Sequence, residues 1–173
     1  MEGYFGIIYD EVEIRTLILF IMRRLSEPVT LDVLAELTIR DESISYFDVT
    51  ECILKLAQTG HLSLKDEKYS LTAKGVRNGE VLENNLPYAV RQKAEEAAAY
   101  LSALQKRDKL IKTGYSADDK GAYKVMLSLS DGIGDIFSAQ LLAANEEQAE
   151  KLIKGFRKNA ENIYHRLVES IIS

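Results

Sequence analysis

The run from Tyr46 to Gly75, YFDVTECILKLAQTGHLSLKDEKYSLTAKG, constrains the fold more than any other stretch of this chain. Val49, Ile53 and Leu56 recur at helical spacing with Cys52 beside them, which predicts a helix with one apolar face. Gly60 stops that helix, because glycine enters the left-handed C-cap conformation without the steric cost of a Cβ. Two short alternating runs follow, His61 to Lys65 and Lys68 to Leu71. Leu62, Leu64, Tyr69 and Leu71 share one face, and Lys65-Asp66-Glu67-Lys68 makes the turn. The predicted order is therefore helix, glycine stop and β-hairpin.

The line Leu56-x-x-x-Gly60-x-Leu62, closing with Tyr69-x-Leu71-Thr72-x-x-Gly75, resembles the winged helix-turn-helix superfamily of transcriptional regulators. The resemblance implies a recognition helix from Tyr46 and a β wing behind it. Upstream, Asp10 to Leu25 reads as a first helix with a stripe of Ile14, Leu17, Ile18, Ile21 and Leu25, and with Arg23 and Arg24 near its C-terminal dipole. Glu27-Pro28 breaks it, Val29 is extended, and Thr30 caps a short second helix from Leu31 to Leu37. Thr38 to Ser45 is a long connection for a helix-turn-helix, whose turn usually takes about three or four residues. Either the second helix runs further or the turn carries an insertion. Tyr4 to Tyr9 reads as an edge strand or as an arm packing across a partner subunit.

Beyond the hairpin, Thr72 begins a helical extension ending at Asn84-Asn85, and Pro87 opens a long helix lined by Val90, Ala94, Ala97, Leu101 and Leu104. The period then changes from helical to alternating. Lys109 to Tyr115, Ala122 to Ser130 and Ile136 to Ala143 read as strands, with Tyr123, Val125, Leu127 and Leu129 on one face and Phe137, Ala139 and Leu141 turned inward. Asp118-Asp119-Lys120-Gly121 and Asp131-Gly132-Ile133-Gly134-Asp135 make the turns. Asn145 caps a final helix to Ile172, striped by Ala149, Leu152, Ile153, Phe156, Ala160, Ile163, Tyr164, Leu167 and Ile171. The expected fold class is α+β: a winged helix over 1–86, then over 87–173 a linking helix and a three-stranded antiparallel sheet with a C-terminal helix, serving as a dimerisation or effector domain. This layout is similar to a bacterial domain-of-unknown-function family in which a winged helix joins, through a helix beginning near a Leu-Pro-Tyr, a β-β-β-α tail. Here the matching elements are Leu86-Pro87-Tyr88, Glu147-Gln148-Ala149-Glu150-Lys151 and Asn159-Ala160-Glu161-Asn162-Ile163-Tyr164. The resemblance implies transcriptional regulation and carries no catalytic residues.

Charge bears on function. The chain has 173 residues and a formal charge of −5. Up to Leu86 there are nine Lys/Arg against fifteen Asp/Glu, and from Pro87 thirteen against twelve, so the half expected to read DNA is the acidic half. That is the wrong sign for neutralising phosphates. The run Leu17 to Met22 is too short to span a bilayer, no signal peptide is recognised, and the lone Cys52 fits a reducing cytoplasm as a buried core thiol.

Nothing in the sequence argues for an enzyme, and no cofactor or metal is expected. His61 and His165 lack partners at metal-ligand spacing, the Asp131–Asp135 loop lacks the alternating oxygen ligands of a calcium loop, and Gly132-x-Gly134 lacks the rest of a phosphate loop. A bound effector finds no polar constellation to hold it. With Val49, Ile53 and Leu56 inward, the third helix presents Phe47, Asp48, Glu51, Leu54, Lys55 and Gln58, with Thr50 at the margin. Two readings stay open. In the first the protein is a DNA-binding transcriptional regulator contacting double-stranded DNA through Arg40, Ser45, Thr50, Lys55, Gln58, Lys65 and Lys68. In the second the winged helix is a protein-interaction module docking through Phe47, Glu51 and Leu54. The wide stripe of the final helix, which Val168 and Ile172 broaden, points to a homodimer with Phe156, Ile163, Leu167 and Ile171 at its interface. The Tyr4 to Tyr9 arm is a further candidate for that interface.

Overall fold

The computed structural model describes residues 10–39, 44–117 and 121–173. The Tyr4 to Tyr9 segment, Arg40 and the Asp118-Asp119-Lys120 turn lie outside the described residues. The fold is α+β, with six α-helices, a two-stranded sheet and a three-stranded sheet, both antiparallel, among the described residues. It divides into two compact units between Gln105 and Lys106. The seam falls inside a helix, later in the chain than the Leu86 boundary expected from the sequence.

In the first unit, α1 (Glu11–Met22) is the hub. Its Leu17–Met22 run, the most apolar near the N-terminus, is buried on every side, packed by α2 (Leu31–Thr38), α3 (Tyr46–Gln58) and α4 (Ala73–Leu82). Asp10, Thr30, Ser45 and Thr72 cap these four helices, each accepting a bond from an amide three residues on, which satisfies donors that the helix itself leaves open. Helix α2 stops at Thr38, one residue past its expected end, and residues 40–43 of the connection to α3 lie outside the described residues. The hairpin is β1 (Leu62–Lys65) with β2 (Lys68–Leu71), in the register Leu62↔Leu71 to Lys65↔Lys68. Val29, read as extended, bridges to Tyr69 through a pair of backbone hydrogen bonds of 3.1 and 2.7 Å.

After a 3-10 turn at Glu83–Asn85 comes α5 (Tyr88–Leu110). Its buried face is Ala94, Ala98 and Ser102, a row of small side chains that brings it close to the first core, while Leu104 stands exposed. Ser102 Oγ donates to the Arg24 carbonyl oxygen at 3.0 Å. Of the expected stripe, Val90, Ala94, Ala97 and Leu101 pack on that core and only Leu104 does not; the small residues permit the closer approach.

The second unit is a meander of β3 (Ile111–Ala117), β4 (Tyr123–Ser130) and β5 (Asp135–Ala143) under α6 (Glu146–Ile172). The order is β3-β4-β5, with Thr113↔Leu127 and Leu127↔Ala139 in register. Val125, Leu127 and Leu129 of β4 form the core with Ile111, Ala143, Ala149, Phe156 and Ala160. The loop after β4 closes as expected: Asp131 Oδ1 accepts from the amides of Ile133 and Gly134 at 2.8 and 2.9 Å. Those two backbone donors hold the Asp131 carboxyl below its ordinary value, so this carboxylate caps a turn.

Candidate functional site

The surface of α3 and the adjoining hairpin contains most of the side chains singled out from the sequence. Val49, Cys52, Ile53 and Leu56 are buried, which turns Phe47, Glu51, Leu54 and Gln58 to the surface. Phe47 is 73% and Leu54 47% exposed, so two large apolar side chains meet solvent about two helical turns apart. Tyr46 is also exposed, and its hydroxyl donates to Asp32 Oδ1 at 2.7 Å, a bond that raises the phenol above its ordinary value.

The polar groups of this face are largely committed. Ser45 Oγ accepts from the Asp48 amide at 3.1 Å and donates to the Asp48 carboxylate at 2.7 Å, so it serves as the helix cap. Thr50 Oγ1 donates to the Phe47 carbonyl oxygen at 2.9 Å. Lys55 Nζ lies 2.8 Å from Glu51 and 3.0 Å from Glu11 of α1. These two carboxylates raise the ammonium above its ordinary value, which keeps it charged and neutralised in place. A shallow hollow beside it is lined by Asp10, Glu11, Asp48, Glu51, Cys52 and Lys55. Four carboxylates surround one ammonium there, and among the described residues no His/Cys/Asp/Glu group is placed to hold a metal.

At the hairpin tip Lys65 and Lys68 face each other in register, both exposed, and neither forms an ion pair among the described residues. Asp66 and Glu67 between them have φ of 50° and 60°, the left-handed pair of a two-residue hairpin turn. The two lysines therefore flank two acids. Arg40 falls outside the described residues, so the structure brings together Ser45, Thr50, Lys55 and Gln58 on one helix and Lys65 with Lys68 at the tip.

The dimer candidates divide. Phe156 is buried in the core of the second unit, its ring 5.7 Å from that of Phe137, so it is not available as a surface contact. Ile163, Leu167 and Ile171 are exposed, beyond a kink at Asn159 where φ is −129°.

Sequence reading missed the ties that fix His61. Asn78 Nδ2 donates to His61 Nε2 at 2.7 Å, and Nδ1 is 2.8 Å from Thr59 Oγ1. Since the Thr59 hydroxyl is spent on the Lys55 carbonyl oxygen at 2.7 Å, Nδ1 carries the proton and the ring is neutral. Burial, then the nearby Lys74 and Arg15, lower its pKa. The ring is a strut at the hairpin base.

A family described as Domain of unknown function (DUF4364) matches residues 14–171, and the chain belongs to that family. No curated protein and no solved structure matches it. Among the described residues no helix is long and apolar enough to cross a membrane.

Proposed function

We propose that the first unit of this domain-of-unknown-function protein is a winged helix, with α3 as its recognition helix and β1-β2 as its wing, and that the protein is a cytoplasmic regulator docking on a protein partner through α3. The observation that carries this reading is the pairing of Lys55 with Glu11 and Glu51 beside exposed Phe47 and Leu54. Major-groove edges are read best by free Arg, Lys, Asn and Gln. On this face the one lysine is neutralised, and Asp48 and Glu51 would meet phosphates of like charge. Burying Phe47 and Leu54 against an apolar surface is favourable at about 25 cal/mol per Å². The acids around them, Asp32, Asp48, Glu51 and Glu11, select a partner whose apolar pocket has a basic rim.

Double-stranded DNA is the second reading, favoured by Lys65 and Lys68 at the tip, which have no ion pair among the described residues. Recovery of bound proteins beside genome-wide recovery of bound DNA separates the two. On the first reading, Phe47→Ser with Leu54→Ser abolishes capture of a specific protein while leaving the fold intact. Specific binding of a DNA duplex would replace it, provided that Lys65→Ala with Lys68→Ala lowers the salt slope by roughly one unit for each phosphate no longer neutralised.

A further inference from the structure

Among the described residues, strand β5 has a partner on one side only, β4. Its register on β4 slips once, at Ile136 between the pairs Ser130↔Asp135 and Leu129↔Phe137. Beyond that bulge, from Phe137 to Ala143, its sequence is FSAQLLA, with no charge and no proline. Natural sheet edges are usually blunted by lysine, proline, a bulge or a covering element, because an open edge is a template for another strand. The face of the sheet over the other edge strand, β3, is tied down by α6. Over β3, Arg157 Nε donates to Thr113 Oγ1 at 3.0 Å and Tyr115 donates to Glu146 at 2.6 Å. Arg107 adds two bonds to the Glu161 carboxylate, of 2.6 and 2.8 Å. Over β5 the same helix leaves an apolar trough of about 480 Å³, walled by Phe137, Leu141, Leu152, Phe156, Ile163 and Leu167. Leu141, Ile163 and Leu167 remain 42%, 38% and 44% exposed.

We propose that the β5 edge and this trough take a second copy of the same chain, joined β5 to β5 across a two-fold axis at Ala139. The strand's own sequence selects that occupant and that register. A two-fold antiparallel pair that keeps like faces together must place its axis on a residue. At Ala139, Phe137 opposes Leu141 of the partner subunit and Ser138 opposes Gln140 of the partner subunit. Between Phe137 and Leu141, apolar thus meets apolar on the inner face and polar meets polar on the outer one. With the axis at Ser138, Phe137 would oppose only the small Ala139 of the partner subunit and Leu141 would find no apolar partner, since Asp135 turns to the outer face beside Lys112. With the axis at Gln140, Ser138 would oppose Leu142. Pairing at Ala139 makes one six-stranded sheet under two helices, and the stretch of α6 beyond the Asn159 kink gains cover for Ile163 and Leu167. The pairing does not depend on what α3 binds.

Light scattering on the full chain at micromolar concentration should return twice 19.5 kDa. Hydrogen exchange should find every β5 amide protected, where a lone edge strand protects alternate ones. Leu142→Lys, at an exposed outer-face position, should weaken dimerisation at least tenfold with the fold retained. Under mild oxidation Ala139→Cys should cross-link two chains, since directly opposed residues lie at about 4.5–5.5 Å between Cα atoms, within disulfide reach. Ser138→Cys should not, its own copy lying a diagonal about 7–8 Å away. A monomer, a dimer with alternate β5 amides exchanging freely, or cross-linking through Ser138→Cys alone would each overturn the proposal.

Discussion

The α-carbon of Gly75 faces the carbonyl oxygen of His61 so closely that a side chain at that position would enter the oxygen's van der Waals shell. An added Cβ would also meet Leu71 Cδ1 at 2.8 Å. The neighbouring Thr72 hydroxyl explains the approach. It lies 2.8 Å from the Gly60 carbonyl oxygen and 3.0 Å from that of His61, and accepts from the Gly75 amide at 3.1 Å. Thr72 therefore fastens the start of α4 to the base of the hairpin, and Gly75 lies in the resulting closure. We expect Gly75→Ala to destabilise the protein by about 1–3 kcal/mol, the usual cost of overpacking where backbone cannot yield. Denaturant titration measures it, and an unchanged midpoint would show that the closure is soft.

His61 gives the hairpin base a pH dependence. With Asn78 donating to Nε2, the bound ring is neutral, and its folded pKa is lowered from 6.5 by burial and nearby cations. A depressed folded value means that the contribution to stability is complete above about pH 6.5 and is lost as pH falls through the folded pKa. Nitrogen-proton NMR of the imidazole should show the Nδ1–H tautomer at neutral pH and a midpoint below 6.5. Asn78→Asp should move that midpoint upward, because a carboxylate at Nε2 favours the protonated ring.

Cys52 should be chemically silent in the folded protein. Burial, and then the Glu11 carboxylate, push its thiol up to about 11, and its side chain is almost wholly covered. Only the thiolate reacts, so labelling by a disulfide reagent near pH 8 should run more than about a hundredfold slower than for a free thiol. Full labelling should appear in denaturant. Rapid labelling of native protein would show that α3 opens readily from α1.

Sequence alone determined the elements and their order. Helical spacing placed α3, Gly60 and the alternation behind it placed the hairpin, and the period change after α5 placed a meander whose strands begin and end within a few residues of their expected bounds. Caps at Thr30 and Asn145 were legible because a side chain and an amide three residues on are neighbours in any helix. Tertiary structure alone decided which groups were free to act. Lys55 reads as an available cation until Glu11, on another helix, arrives beside it. Phe156 and Ile163 read as one stripe until the Asn159 kink and Phe137 separate a core residue from an exposed one. Leu141 reads as inward, and lies half uncovered because α6 is tied toward β3. Periodicity is a property of neighbouring residues, whereas charge neutralisation and coverage are set by distant parts of the chain that only folding brings into contact.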